Sequence, residues 1–284
     1  MTSGTGNRSA EIFGHPIGDN SVQAHYTRQR HWCPFVNKVC NKKSRLIDYP
    51  FGVCSVEHRG TAKSICPRRF EETGSFEGVS LVLEDIALHY FGDLNNVIPF
   101  SEVKLPNVGT IDYVLVRHKP MRVEVEDFVP VEFQTDSTTQ TGDVVRALRD
   151  FVSGLEVQQQ TYRFSMNTYD TIKRSITQLL NKGIVYEAWD VKSYWVIQEY
   201  IYQNLVNRYG MKSDGYSAEH GARFALYNLG PNDDRLTLKL ERFVSTTVDN
   251  VYQAMRDNPN LPNKDKFVNV LQTKLRAKLG VEFG

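Results

Sequence analysis

Residues 110–134 read TIDYVLVRHKPMRVEVEDFVPVEFQ, and their pattern decides the fold class. Thr110 to Val116 is branched and apolar around one acid, Asp112, and reads as a strand. Pro120 interrupts it. A second strand runs from Phe128 to Gln134, where Val129, Val131 and Phe133 alternate with Pro130, Glu132 and Gln134. Pro130 cannot donate to a ladder, so it is expected at the start or edge of its strand. Side chains two apart on a strand share a face, so Glu132 and Gln134 project together while Val131 and Phe133 point into the core. If the strand bearing Asp112 pairs alongside, Asp112 reaches the same point. Two carboxylates so placed repel each other unless a cation lies between them, and magnesium prefers such oxygen ligands. The expected chemistry is metal-assisted attack on a phosphodiester, with Gln134 orienting water or phosphate by hydrogen bonding. Taken alone an E-x-Q triplet is common, and surface residues are the competing reading.

Working outward, FEGVSLVLEDIALHYFG (76–92) has Val79, Leu83, Ile86, Ala87 and Tyr90 on one stripe, which predicts a helix ended by Gly92. Glu77 and Glu84 share one face of it, and Glu84 is the preferred further acid of the site, with Glu77 second. The polar run Thr135 to Gly142 precedes a helix from Asp143. Asn167 to Asn181 predicts another helix, stopped at Gly183. Residues 193–206 contain at least one strand, Leu236 to Phe243 another, and 243–255 and 264–279 read as closing helices. The order implies an α/β fold, a mixed β-sheet core flanked by helices.

Upstream the character changes. Residues 1–20 are rich in Gly and Ser and read as a flexible start. Residues 21–75 are loop-rich and hold all four cysteines, Cys33, Cys40, Cys54 and Cys66, spaced C-x6-C-x13-C-x11-C. Four thiols in one short segment point to a tetrahedral site for zinc or iron, with four reduced core cysteines as the plainer alternative. From Ser21 to Phe70 ten Lys and Arg face two acids, a local charge of +8; from Glu71 to Asp136 thirteen acids face four bases, −9. Such blocks suit a polyanion held by one part and divalent cations by the other, or two solvated faces. Lys42, Lys43, Arg45, Arg68 and Arg69 are the candidate DNA contacts; His25, His31 and His58 are more simply read as surface or hydrogen-bonded groups. Residues 76–284 form the expected core.

The chain has 284 residues, 40% of them hydrophobic, enough for a sizeable core. Mean hydropathy is −0.42 and apolar runs are short, so no membrane span and a cytoplasmic setting are expected.

Three stretches together resemble the NotI family of Type II restriction endonucleases: CPFVNKVCNKKSR (33–45), FGVCSV with ICPRRF (51–70), and Asp112 with Glu132-x-Gln134. Glu11-Ile12-Phe13-Gly14 fits the same start, and YWVIQEYIY (194–202) is similar in character. The resemblance covers roughly residues 10–160. It implies a restriction-endonuclease-like core and a homodimer cutting duplex DNA with magnesium, accompanied by a separate methyltransferase. By position, Asp112 and Glu132 would be magnesium ligands, and the four cysteines would hold iron, zinc remaining the alternative. Two departures from the P-D…(D/E)-x-K pattern stand out: Ile111 replaces the proline, and Gln134, which cannot supply the lysine's positive charge, replaces the lysine, although Gln at that place is a known variation among restriction enzymes of this class. A repair or structure-specific nuclease, and a DNA-binding protein without catalysis, are the competing functions.

Overall fold

Strand β9 (Val125–Phe133) is an inner strand of the larger sheet, hydrogen-bonded on one side to β8 (Gly109–His118) and on the other to β10 (Ser193–Gln198). The computed structural model describes residues 7–75, 78–212 and 215–280. Beyond β8 lies β7 (Val97–Leu105), and beyond β10 lie β11 (Ala222–Asn232) and β12 (Arg235–Thr246), giving a six-stranded mixed sheet ordered β12-β11-β10-β9-β8-β7. β10 runs parallel to both neighbours, and every residue in it is buried, as a strand covered on both faces requires. The expected mixed α/β architecture is present, with seven helices among the described residues.

The helices divide between the two faces. α2 (Leu81–Phe91) packs Val82, Leu83, Ile86 and Ala87 onto Leu115, Val129, Val131, Tyr194 and Val196. α4 (Thr168–Ala188), α5 (Glu199–Tyr209) and α6 (Val248–Arg256) cover the other face, where Ile172, Ile176 and Leu179 meet Trp195 and Ile197. Each such aliphatic side chain contributes about 1.5–3 kcal/mol on full burial. α7 (Lys264–Leu279) has no buried residue.

The N-terminal part adds a second sheet, β2-β1-β5-β6, from β1 (Arg8–Ile12), β2 (His15–Pro16), β5 (Val53–His58) and β6 (Thr61–Ser64). Between these come α1 (Val22–Gln29) and the short ribbon of β3 (Trp32–Cys33) and β4 (Lys38–Val39). Ile12, Val53, Val56 and Ile65 share a core with Val144, Val145, Ala147 and Leu148 of α3 (Thr141–Val152) and with Phe164.

Four expectations need correction. Arg8–Ile12 is not a loose start but a strand paired with β5, because Ile12 is wholly buried in the core against α3. The helix expected from 76 begins at Leu81, since the Ser80 hydroxyl caps it by accepting from the Leu83 amide. Gly183 does not stop α4: it sits inside the helix, where an added Cβ would lie 2.7 Å from a Val248 methyl, so its missing side chain lets α6 approach. Pro130 is internal to β9 rather than at an end, yet the ladder with β10 starts only at Val131, so no hydrogen bond is lost on that side.

Candidate active site

The register of β8 on β9 places Tyr113 opposite Val131, and therefore Asp112 beside Glu132 on the face toward α4. The Asp112 carboxylate accepts from the Phe133 amide at 2.8 Å. Glu132 is buried, and its carboxylate meets the Lys182 ammonium at 2.6 Å. Lys182 also donates to the Thr110 carbonyl at 2.6 Å. Burial pushes the Glu132 carboxyl up to about 7; Lys182 opposes this, and the neighbouring Asp112 adds to it. Gln134 follows on the same strand face, its side-chain amide donating to the Thr135 carbonyl at 2.8 Å.

Asp112 and Gln134 open on a cleft of about 450 Å³ whose far wall is α4. Arg174 and Gln178 stand on that wall, one turn apart, and Lys182 continues their row at the same four-residue spacing. Asp136 marks the floor. It is buried and accepts hydroxyl hydrogen bonds from Thr168 (2.6 Å), Thr171 (2.7 Å) and Tyr200 (2.7 Å), which tie the end of β9 to α4 and α5.

Asp112, Glu132 and Gln134 are thus gathered as their spacing predicts. Glu84 is not among them. It lies on α2, across the sheet from the face that bears Asp112 and Glu132, and its carboxylate accepts from the Ser75 amide at 2.7 Å. Glu77 lies outside the described residues. Lys182, Arg174, Gln178 and Asp136 escaped the sequence reading. Arg174 and Gln178 fall four apart within the helix expected over 167–181 and Lys182 just past its expected end, but nothing local says which sheet face they meet.

The four thiols line one small pocket together with Phe13 and Phe51. Burial raises Cys33 to about 11, with Cys66 and Cys40 adding their charge, and raises Cys54 well above the ordinary thiol value, Cys66 adding again. Thiols are the donor type a soft metal takes, but these shifts come first from burial, which favours the neutral thiol. Among the described residues no group of three or more His, Cys, Asp or Glu is so arranged as to hold a metal ion. His31 stacks on Tyr49, and His58 bonds Asn7 at 2.7 Å.

The five candidate DNA contacts separate. Lys43 and Arg45 are exposed. Lys42 donates to the Ile65 carbonyl at 2.9 Å, and Arg68 pairs with Glu71 at 2.5 Å. Arg69 is wholly buried between Glu11 (3.1 Å) and Glu72 (2.5 Å), so its place as a DNA contact is withdrawn: its charge is spent inside the protein.

A family model described as restriction endonuclease NotI matches residues 12–218, which takes in the thiol segment, both carboxylate strands and α4. The chain belongs to the NotI restriction endonuclease family. Membership in the NotI family implies a nuclease with DNA as its substrate. The NotI match ends before β11, so β11, β12, α6 and α7 lie beyond it. Comparison with curated proteins gives no match. Among the described residues no helix is long and apolar enough to cross a membrane.

Proposed function

We propose that this chain is a Type II site-specific deoxyribonuclease that hydrolyses phosphodiesters of duplex DNA with magnesium. The observation that carries the reading is the side-by-side placement of Asp112 and Glu132 on the face toward α4, where Asp112 and Gln134 line the cleft and Glu132 is buried behind it. Two neighbouring carboxylates are the oxygen donors a hard divalent ion prefers, and Asp112 raises the cost of charge on Glu132. Magnesium bound there would neutralise charge developing on the phosphate. Asp112 is held in place by the Phe133 amide, and Glu132 by Lys182. Gln134 offers a neutral donor and acceptor to water or phosphate, and the buried floor at Asp136 keeps the strand end rigid.

In this reading residues 76–284 are the catalytic core with a restriction-endonuclease-like fold, and residues 21–75 are a DNA-contacting region stapled by iron or zinc on Cys33, Cys40, Cys54 and Cys66. Lys43 and Arg45 are the exposed members of the basic block that suit phosphate contacts. Two copies related by a two-fold axis would cut both strands of a palindrome, in a cytoplasmic restriction-modification system with a separate methyltransferase.

The test is digestion of a defined plasmid with magnesium. Discrete fragments are expected from the wild type. Asp112→Ala and Glu132→Ala should each abolish cutting while retaining DNA binding. Smearing or junction-dependent nicking would point to a repair nuclease instead, and undiminished cutting by either variant would remove the assigned site.

A further inference from the structure

We infer that Arg174 is the phosphate-binding cation of this site, taking over from α4 the positive charge that Gln134 does not carry on β9. The inference rests on the nuclease reading above. Asp112, Gln134 and Asp136 line one side of the cleft, and none of them brings a positive charge to a polyanion. Among the described residues that line the cleft, two are cationic, Lys42 and Arg174. Lys42 is committed, since its ammonium donates to the Ile65 carbonyl at 2.9 Å and lies over the Phe51 ring. Lys182, deeper in the same row, is bound to Glu132 and Thr110 at 2.6 Å each.

Arg174 is held far more loosely. One of its terminal nitrogens donates to the Thr171 hydroxyl at 3.2 Å, and its Nε approaches Asp170 only to 3.9 Å. Its side chain is 50% exposed. A guanidinium carries five donors, so several remain to be used, and their fork matches two oxygens of one phosphate. Gln178, exposed one turn further along the same wall, offers an adjacent neutral donor. A phosphodiester entering between β9 and α4 therefore meets carboxylates on one side and a guanidinium on the other, the arrangement needed to hold a divalent ion and an anion together.

The test compares Arg174→Gln and Arg174→Lys with the wild type and with Glu132→Ala. Duplex binding is measured against salt with calcium replacing magnesium, and cleavage under single-turnover conditions with magnesium. Arg174→Gln should slow cleavage roughly a hundredfold. It should also lower the salt dependence of binding by about one phosphate contact. Arg174→Lys should recover part of both. Because the position is exposed, thermal melting should not move. Arg174→Gln with wild-type cleavage and salt slope, in a background where Glu132→Ala is inactive, overturns this inference alone. If Glu132→Ala still cuts, the nuclease site itself falls.

Discussion

Glu132 and Lys182 form a buried ion pair at 2.6 Å between the central strand β9 and helix α4, 50 residues apart in the chain. A charge left alone in such a place is costly, so Lys182→Met is expected to destabilise the fold by about 3–5 kcal/mol at pH 8. The loss should shrink at low pH, where Glu132 takes up a proton. Its carboxyl titrates near 7 in the fold against an ordinary value of 4.5, so the folded chain binds more protons between those limits. That group's contribution to stability is complete below pH 4.5 and fades as pH rises through 7. Glu132→Gln should remove this slope. Urea denaturation at pH 5, 6, 7 and 8 measures both effects, and a Lys182→Met penalty independent of pH would contradict the assignment.

Arg69 and Lys43 lie in the same basic block but should behave oppositely. Arg69 bridges Glu11 and Glu72 and donates to the Leu236 carbonyl at 2.6 Å, joining β1 to β12. Arg69→Met should cost about 3–5 kcal/mol of stability. Lys43→Ala should leave stability within about 0.5 kcal/mol and weaken DNA binding uniformly across sequences. Thermal melts and binding isotherms on both variants decide the matter.

Gly183→Ala tests the α4–α6 contact. Alanine favours a helix by about 1 kcal/mol over glycine. Here its Cβ would stand 2.7 Å from a methyl of Val248, a buried and rotamer-restricted side chain. The overlap should prevail, with a net loss of about 1–3 kcal/mol. A rise in the denaturation midpoint would show that α6 can yield at no cost.

Cys54→Ser probes the thiol pocket. If the four cysteines share an ion, the variant should lose bound metal and melting temperature together, because the ion supplies folding energy to a loop-rich segment. A chelator should lower the wild-type melt and leave the variant nearly unchanged. Elemental analysis of wild-type protein showing neither iron nor zinc would leave four packed thiols and no metal.

Local sequence carried the strands well, for a physical reason. Period-two alternation from Val129 to Gln134 is enforced by the pleat, so the common face of Glu132 and Gln134 was readable without any partner. The α2 error arose at Ser80, whose hydroxyl cap outweighed an apolar stripe that ran two residues further upstream. Gly183 misled because a glycine that ends helices in isolation can serve a close helix contact, and Val248 lies 65 residues away.

By itself, then, the chain determined the two strands that bear Asp112 and Glu132, the common face of Glu132 and Gln134, and the clustering of thiols in the first quarter, while the pairing of those strands came from the fold. Pairing periodicity and residue chemistry are local, and they survive any arrangement of the rest. Only the tertiary structure decided that α4 rather than α2 covers the carboxylates, and that Lys182, not a residue on β9, supplies the buried countercharge. It likewise decided that Arg69 is interior. Which face a helix meets depends on how hydrophobic area is shared across the whole sheet, and that balance is set by residues far apart in the chain.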